Sequence, residues 1–267
     1  MNRIADAIRA AGADGPAIVA YLTAGFPRRE NFLATLHAVA DASDVVEIGV
    51  PFSDPMADGL TIQRSSRVAL DQGVTLGWLL ETLAGSPDTI EAPLLLMSYL
   101  NPLLAYGFDA LPAAARRAGI SGFIVPDLPL EESDELKAAL SREGIALVQF
   151  VAPTTPPARA ARLCGASEGF VYALTMNGIT GKDAALPEST LAYLSRLKAN
   201  AEVPVCAGFG IRNGGQVARL APHVDGVIVG SALVEVLERG EDAGAFIRSL
   251  RTGPRRPAPA REVVSRG

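Results

Sequence analysis

Histidine, lysine and cysteine are scarce in this chain, and each shortage removes a class of chemistry. Of 267 residues only two are His, three Lys and two Cys. His37 falls inside a helical stretch and His223 just before the last apolar run, so a His-rich metal site is disfavoured. Lys137 and Lys198 fall in helical stretches and Lys182 in a loop, which leaves no lysine inside a strand, where a desolvated Schiff-base amine belongs. Cys164 and Cys206 are far apart with no metal-type spacing, which predicts free thiols in a reducing compartment. No G-x-G-x-x-G opens a helix after the first strand, so a dinucleotide site is disfavoured. Neither an apolar leader nor an eighteen-residue apolar run is present, so the expectation is a soluble cytoplasmic protein with no membrane partner. The net charge of −5 gives no basic excess for nucleic acid.

What the chain does have is a large apolar content, 49%, enough for one sizeable α/β core. A short amphipathic stretch, Ile4 to Ala11, comes first. Eight apolar runs follow: Ala17 to Leu22, Val45 to Ile48, Leu94 to Tyr99, Phe123 to Val125, Ala146 to Val151, Phe170 to Leu174, Val203 to Ala207 and Val227 to Val229. Stretches of helical periodicity separate them. Strand and helix in strict alternation imply parallel strands with right-handed crossovers, and eight units in this length predict a single (β/α)₈ TIM barrel over 1–250 with an extra N-terminal helix. An open doubly wound sheet is the competing architecture. From Arg251 to Gly267 the chain is rich in Arg and Pro without an apolar run, and reads as a disordered tail.

In a barrel the loops after the strands hold the site. Within the second apolar run stands Glu47, a residue out of place in a strand buried on both faces. Behind it Pro51, Pro55 and Gly59 break regular structure, so that Asp54 and Asp58 sit on a loop able to fold back over the strand end. Two carboxylates can then face one pocket. The structural alternatives are a Glu held by an Arg and Asp residues serving as turns or caps. Later loops are glycine-rich: GFGIRNGGQV precedes one helix and GSALV opens another, so backbone N–H groups and the Ser231 hydroxyl can cradle a phosphate. With metal and lysine chemistry disfavoured, what remains is carboxylate proton transfer on a small phosphorylated substrate that carries its own electron sink.

The segments EIGVPFSDPMADGLTIQ, YLTAGFP, YLNPLLAYG, VPDLPLEES, GITG, GFGI and GVIVGSALV, in this order over Arg3 to Glu238, resemble the tryptophan synthase alpha subunit family. That resemblance implies a lyase of tryptophan biosynthesis that cleaves indole-3-glycerol phosphate to indole and glyceraldehyde 3-phosphate. Glu47 matches the general acid/base, and Asp58 the carboxylate that accepts from the indole N–H. Tyr99 and Tyr172 match the indole end, Thr180 a residue that orders Asp58 on closure, and Gly181, Phe209, Gly210, Gly230 and Ser231 the phosphate end. No cofactor is implied for this chain, only pyridoxal phosphate in a partner beta subunit of an α₂β₂ assembly. That partner is expected to dock on the loop Ser53 to Gln63 and on Asn101 to Tyr106. Leu60 stands where most members carry Pro, and RNGGQV lacks the usual Pro-Glu, which predicts a less pre-organised helix start. Competing functions are a free-standing lyase, a weakly catalytic activating subunit, and an unrelated phosphate-binding isomerase barrel.

Overall fold

The computed structural model describes residues 2–12, 15–175, 187–208 and 210–251. Eight parallel strands close into a barrel in sequence order: β1 (Ala17–Thr23), β2 (Val45–Gly49), β3 (Leu94–Met97), β4 (Ile120–Ile124), β5 (Ala146–Val151), β6 (Val171–Leu174), β7 (Val205–Gly208) and β8 (Gly226–Val229). Pairing of β1 with β8, Ala17 opposite Gly226, shuts the ring and excludes the open sheet. The α-helices of the described residues are α1 (Arg3–Ala11), α2 (Phe32–Ala40), α3 (Leu60–Asp71), α4 (Leu76–Ala84), α5 (Leu100–Tyr106), α6 (Leu111–Arg117), α7 (Asp134–Ser141), α8 (Pro157–Ala166), α9 (Glu188–Asn200), α10 (Gly214–Leu220), α11 (Ser231–Glu238) and α12 (Ala243–Ser249).

The two-residue strand period sorts side chains into an inner and an outer set. Val46 and Ile48 pack outward with the helices, while Val45 packs inside with Val19, Leu95, Ile124, Val148, Phe170 and Ile228. The same alternation turns Glu47 inward, one layer above Val45. At the opposite mouth α1 closes the barrel: its Ile4 and Ile8 are fully buried in that inner cluster, and the Asn2 carboxamide oxygen caps its first turn, accepting from Ile4 N–H at 3.0 Å.

Acidic residues ahead of the even strands tie down the neighbouring odd strands at that end. Asp44 accepts from the N–H of Ile18, Glu168 from Leu147 and Asp225 from Val205, at 2.7, 2.9 and 2.8 Å. Each carboxylate also meets a cation: Arg251, Lys137 and Lys198 respectively. Two of the three lysines are thereby committed to the stability face of the barrel. Arg251, where the expected tail begins, belongs to this scaffold, its guanidinium donating to both Asp44 oxygens and to the Ala42 carbonyl. The rest of that tail, 252–267, lies outside the described residues, as does Lys182.

Three segments are helical beyond the sequence expectation: α3, α5 and α12. The segment Ser53 to Gln63, expected as a loop, therefore ends as the first turn of α3, and Asn101 to Tyr106 lies within α5. Strand β3 stops at Met97, and Tyr99 is the N-cap residue of α5.

Candidate active site

Glycines at two strand ends open the upper layer of the barrel to aromatic rings. A Cβ at Gly49 would run into the Tyr21 hydroxyl, and one at Gly208 into the Tyr172 ring. With both positions bare, Tyr21 and Tyr172 lie inside the mouth, and Phe150 packs on Tyr172 with ring centroids 4.6 Å apart. Together with Glu47 and Met97 they wall a cavity of about 310 Å³, room for one small ligand.

Glu47 is 1% exposed, and its Oε2 has no hydrogen-bond partner among the described residues. Burial first, and then the Asp58 charge, push its pKa up from 4.5 to about 8, so near pH 7 this carboxyl holds its proton. Among the described residues no Arg balances it, and there the structural alternative of a Glu held by an Arg does not apply. Asp58 reaches the same cavity from the loop that follows β2. Partial burial raises it to about 6, against a hydrogen bond from the Tyr99 hydroxyl that lowers it. The same hydroxyl accepts the Ala57 N–H at 2.8 Å, and the Tyr99 ring stacks on Phe52 at 5.1 Å. Tyr99 thus fixes the loop at the residue before Asp58. Asp54, by contrast, is exposed and accepts from Ser53. Asp127, in the loop after β4, accepts from the Leu100 N–H at the start of α5.

Opposite the carboxylates, Gly230, Ser231 and Ala232 bring the N-terminus of α11 to the cavity wall. Gly210 also lines it, with φ of 72°, a left-handed conformation that favours glycine. The second expected helix start is elsewhere. Gly214 at the head of α10 packs against the carbonyls of Ser249 and Leu250, so its N-terminus is spent on α12 and does not face the cavity. Nor is that start loosely organised for want of Pro-Glu. The Asn213 carboxamide accepts from Gln216 N–H at 3.0 Å, and the Gln216 side chain accepts from Arg212 N–H at 2.7 Å, a reciprocal cap.

The chain matches the family profile described as tryptophan synthase alpha chain over residues 9–252. The chain belongs to that family. The tryptophan synthase alpha chain of Desulfovibrio desulfuricans is 44% identical over 251 residues, covering 92% of this chain and 98% of its own length. That of Chloroflexus aurantiacus is 41% identical, with 96% and 100% covered. Among solved structures, the tryptophan synthase subunit alpha of Legionella pneumophila superposes with a TM-score of 0.82 at 34% identity, over 94% of this chain and 97% of the other. For tryptophan synthase from M. tuberculosis in an aminoacrylate-bound form the TM-score is 0.83 at 32% identity, over 94% and 98%.

Of the site residues expected for an alpha chain of this family, Glu47, Asp58, Tyr172, Gly210, Gly230 and Ser231 line one cavity, and Tyr99 supports it from beneath Asp58. Thr180, Gly181 and Phe209 lie outside the described residues. Tyr21, Phe150 and Arg212 line the cavity as well, although nothing in the sequence pattern singled them out. The two-residue period of β1 contained the clue for Tyr21, which shares the inner face with Ala17 and Val19. Among the described residues no group of three or more His, Cys, Asp or Glu is placed to hold a metal ion. No helix among them is long and apolar enough to cross a membrane.

Proposed function

We propose that this protein cleaves indole-3-glycerol phosphate to indole and glyceraldehyde 3-phosphate by a retro-aldol reaction, as the alpha subunit of a tryptophan synthase. The observation that carries the reading is the pairing of two carboxyls of unlike proton affinity in one aromatic-walled cavity. Glu47, protonated near neutrality, donates to C3 of the indole ring, and the ring cation so formed is the electron sink. The deprotonated Glu47 then takes the proton of the side-chain hydroxyl, the bond from C3 to the carbinol carbon breaks, and its electrons return to the ring. The net change is a proton moved from oxygen to carbon, with no water added. Asp58, ionised at the same pH, accepts from the indole N–H and stabilises the positive ring. Tyr172 and Phe150 supply a face for the indole, and Gly210, Gly230 and Ser231, with Gly181 and Phe209, the phosphate end. Thr180 orders Asp58 when the loops close over substrate.

In this reading the chain needs no cofactor of its own, and its partner is a pyridoxal-phosphate beta subunit that receives the indole. Met56, Leu60 and Leu104 support it. They are the exposed large hydrophobic side chains of the described residues, and all fall in the two segments expected to dock, Ser53 to Gln63 and Asn101 to Tyr106. Exposed apolar groups gathered at one mouth mark an interaction surface. A cytoplasmic setting suits both cysteines, which are buried free thiols.

The test is steady-state cleavage by the isolated protein with and without a beta subunit. Slow cleavage that rises strongly with the partner supports the subunit reading. Fast cleavage indifferent to the partner means a free-standing lyase, and partner activation without cleavage means an activating subunit.

A further inference from the structure

Three hydroxyls stand in file at the edge of the cavity. The Tyr21 oxygen is 3.3 Å from that of Thr23, Thr23 is 2.6 Å from Ser65, and Ser65 is 2.9 Å from the Ile62 carbonyl in the first turn of α3. A carbonyl only accepts, so the Ser65 hydrogen goes to Ile62. Thr23 then donates to Ser65, and Tyr21 to Thr23. This is the one arrangement of three hydrogens that makes all three bonds, and it turns the phenol hydrogen of Tyr21 away toward Thr23. Thr23 and Ser65 are fully buried and Tyr21 is 4% exposed, so water does not compete.

What the cavity meets in Tyr21 is therefore lone pairs. Tyr21 lines the cavity beside Glu47, its register partner, and its oxygen lies against bare Gly49, one layer above Glu47 on the same face of β2. Burial first, then the Asp58 charge and more weakly that of Glu47, hold its proton on well beyond the usual phenol range. The group is a neutral dipole, its negative end turned into a site that already holds a carboxylate. Such an arrangement becomes favourable when positive charge appears between the two.

We propose that Tyr21 is a further catalytic residue, whose oxygen faces the indole ring as positive charge develops there, and that Thr23 and Ser65 are positioning residues that keep its hydrogen turned away. The inference rests on the cleavage proposed above and adds to Asp58 an acceptor that stays in place at low pH. A dipole fixed in advance costs no reorganisation when the charge forms, which is why the buried chain behind it matters.

The experiment is steady-state cleavage by the full chain with beta subunit, kcat and KM measured separately, for wild type, Tyr21→Phe, Thr23→Val, Thr23→Ser and the double variant Tyr21→Phe with Thr23→Val. Tyr21→Phe keeps the ring, and is expected to lower kcat about tenfold or more with little change in KM. Thr23→Val frees the phenol hydrogen to turn into the cavity and lowers kcat as well, while Thr23→Ser restores it. In the Tyr21→Phe background Thr23→Val should cost little more, because no hydrogen is left to direct. A wild-type kcat in Tyr21→Phe overturns the inference. So does a Thr23→Val loss of equal size in both backgrounds, which would make Thr23 a packing residue for α3. Either result leaves the cleavage reading standing, whereas a wild type that cleaves nothing removes that reading and this inference with it.

Discussion

The Tyr99 hydroxyl accepts the N–H of Ala57 at 2.8 Å and stands close enough to the Asp58 carboxylate to lower its pKa, so one phenol acts on both the position and the proton affinity of the loop carboxylate. Tyr99→Phe removes the hydroxyl that lowers the Asp58 pKa, and Asp58 is then expected to titrate above about 6. The acid limb of the pH–rate profile shifts upward and kcat/KM near pH 6 falls. A profile identical to wild type on the acid side contradicts this.

Glu47 carries a stability cost that its chemistry requires. Its folded pKa of about 8 lies above the ordinary value of 4.5, so between those limits the folded state binds more protons than the unfolded one. Stability therefore declines as pH rises through this window, by an amount on the order of a few kcal/mol. Glu47→Gln keeps the shape without the charge, and should raise the melting temperature at pH 8 to 9 much more than at pH 5. Equal shifts at both pH values would show that Glu47 is not held protonated.

Room for the indole depends on Gly208. A methyl there meets the Tyr172 ring, and Gly208→Ala should displace that ring, cost about 1–3 kcal/mol in urea unfolding and weaken substrate binding. Wild-type stability together with a wild-type KM contradicts the packing described.

Leu60→Asp and Leu104→Asp change exposed side chains that do not line the cavity. Each is expected to leave cleavage by the isolated chain near wild type while lowering beta-subunit activation at least tenfold, as when an apolar anchor is removed from the centre of an interface. Retained activation would move the docking surface elsewhere.

The barrel was legible because β-branched runs and helical stretches alternate eight times, and Glu47 stood out because a carboxyl interrupts a run that burial on both faces requires to be apolar. Helix α3 escaped notice because its inner face is Ser65, Ser66 and Ala69. Small groups let it approach β1, where Ser65 bonds Thr23 at 2.6 Å, and they leave no apolar stripe to read. Helix α5 was hidden by Pro102 in its first turn. At the phosphate end, glycine spacing alone could not tell that Gly214 abuts the end of α12 while Gly230 faces the cavity.

The most direct measurement is the pH dependence of indole-3-glycerol phosphate cleavage, saturated with beta subunit, for wild type and Glu47→Gln. The expected profile is bell-shaped, falling below about pH 6 as Asp58 protonates and above about pH 8 as Glu47 loses its proton, and Glu47→Gln lowers kcat on the order of 10²- to 10⁴-fold. A Glu47→Gln variant that cleaves at the wild-type rate, or a wild-type rate that keeps climbing beyond pH 9, would contradict the assignment of Glu47 as the proton donor.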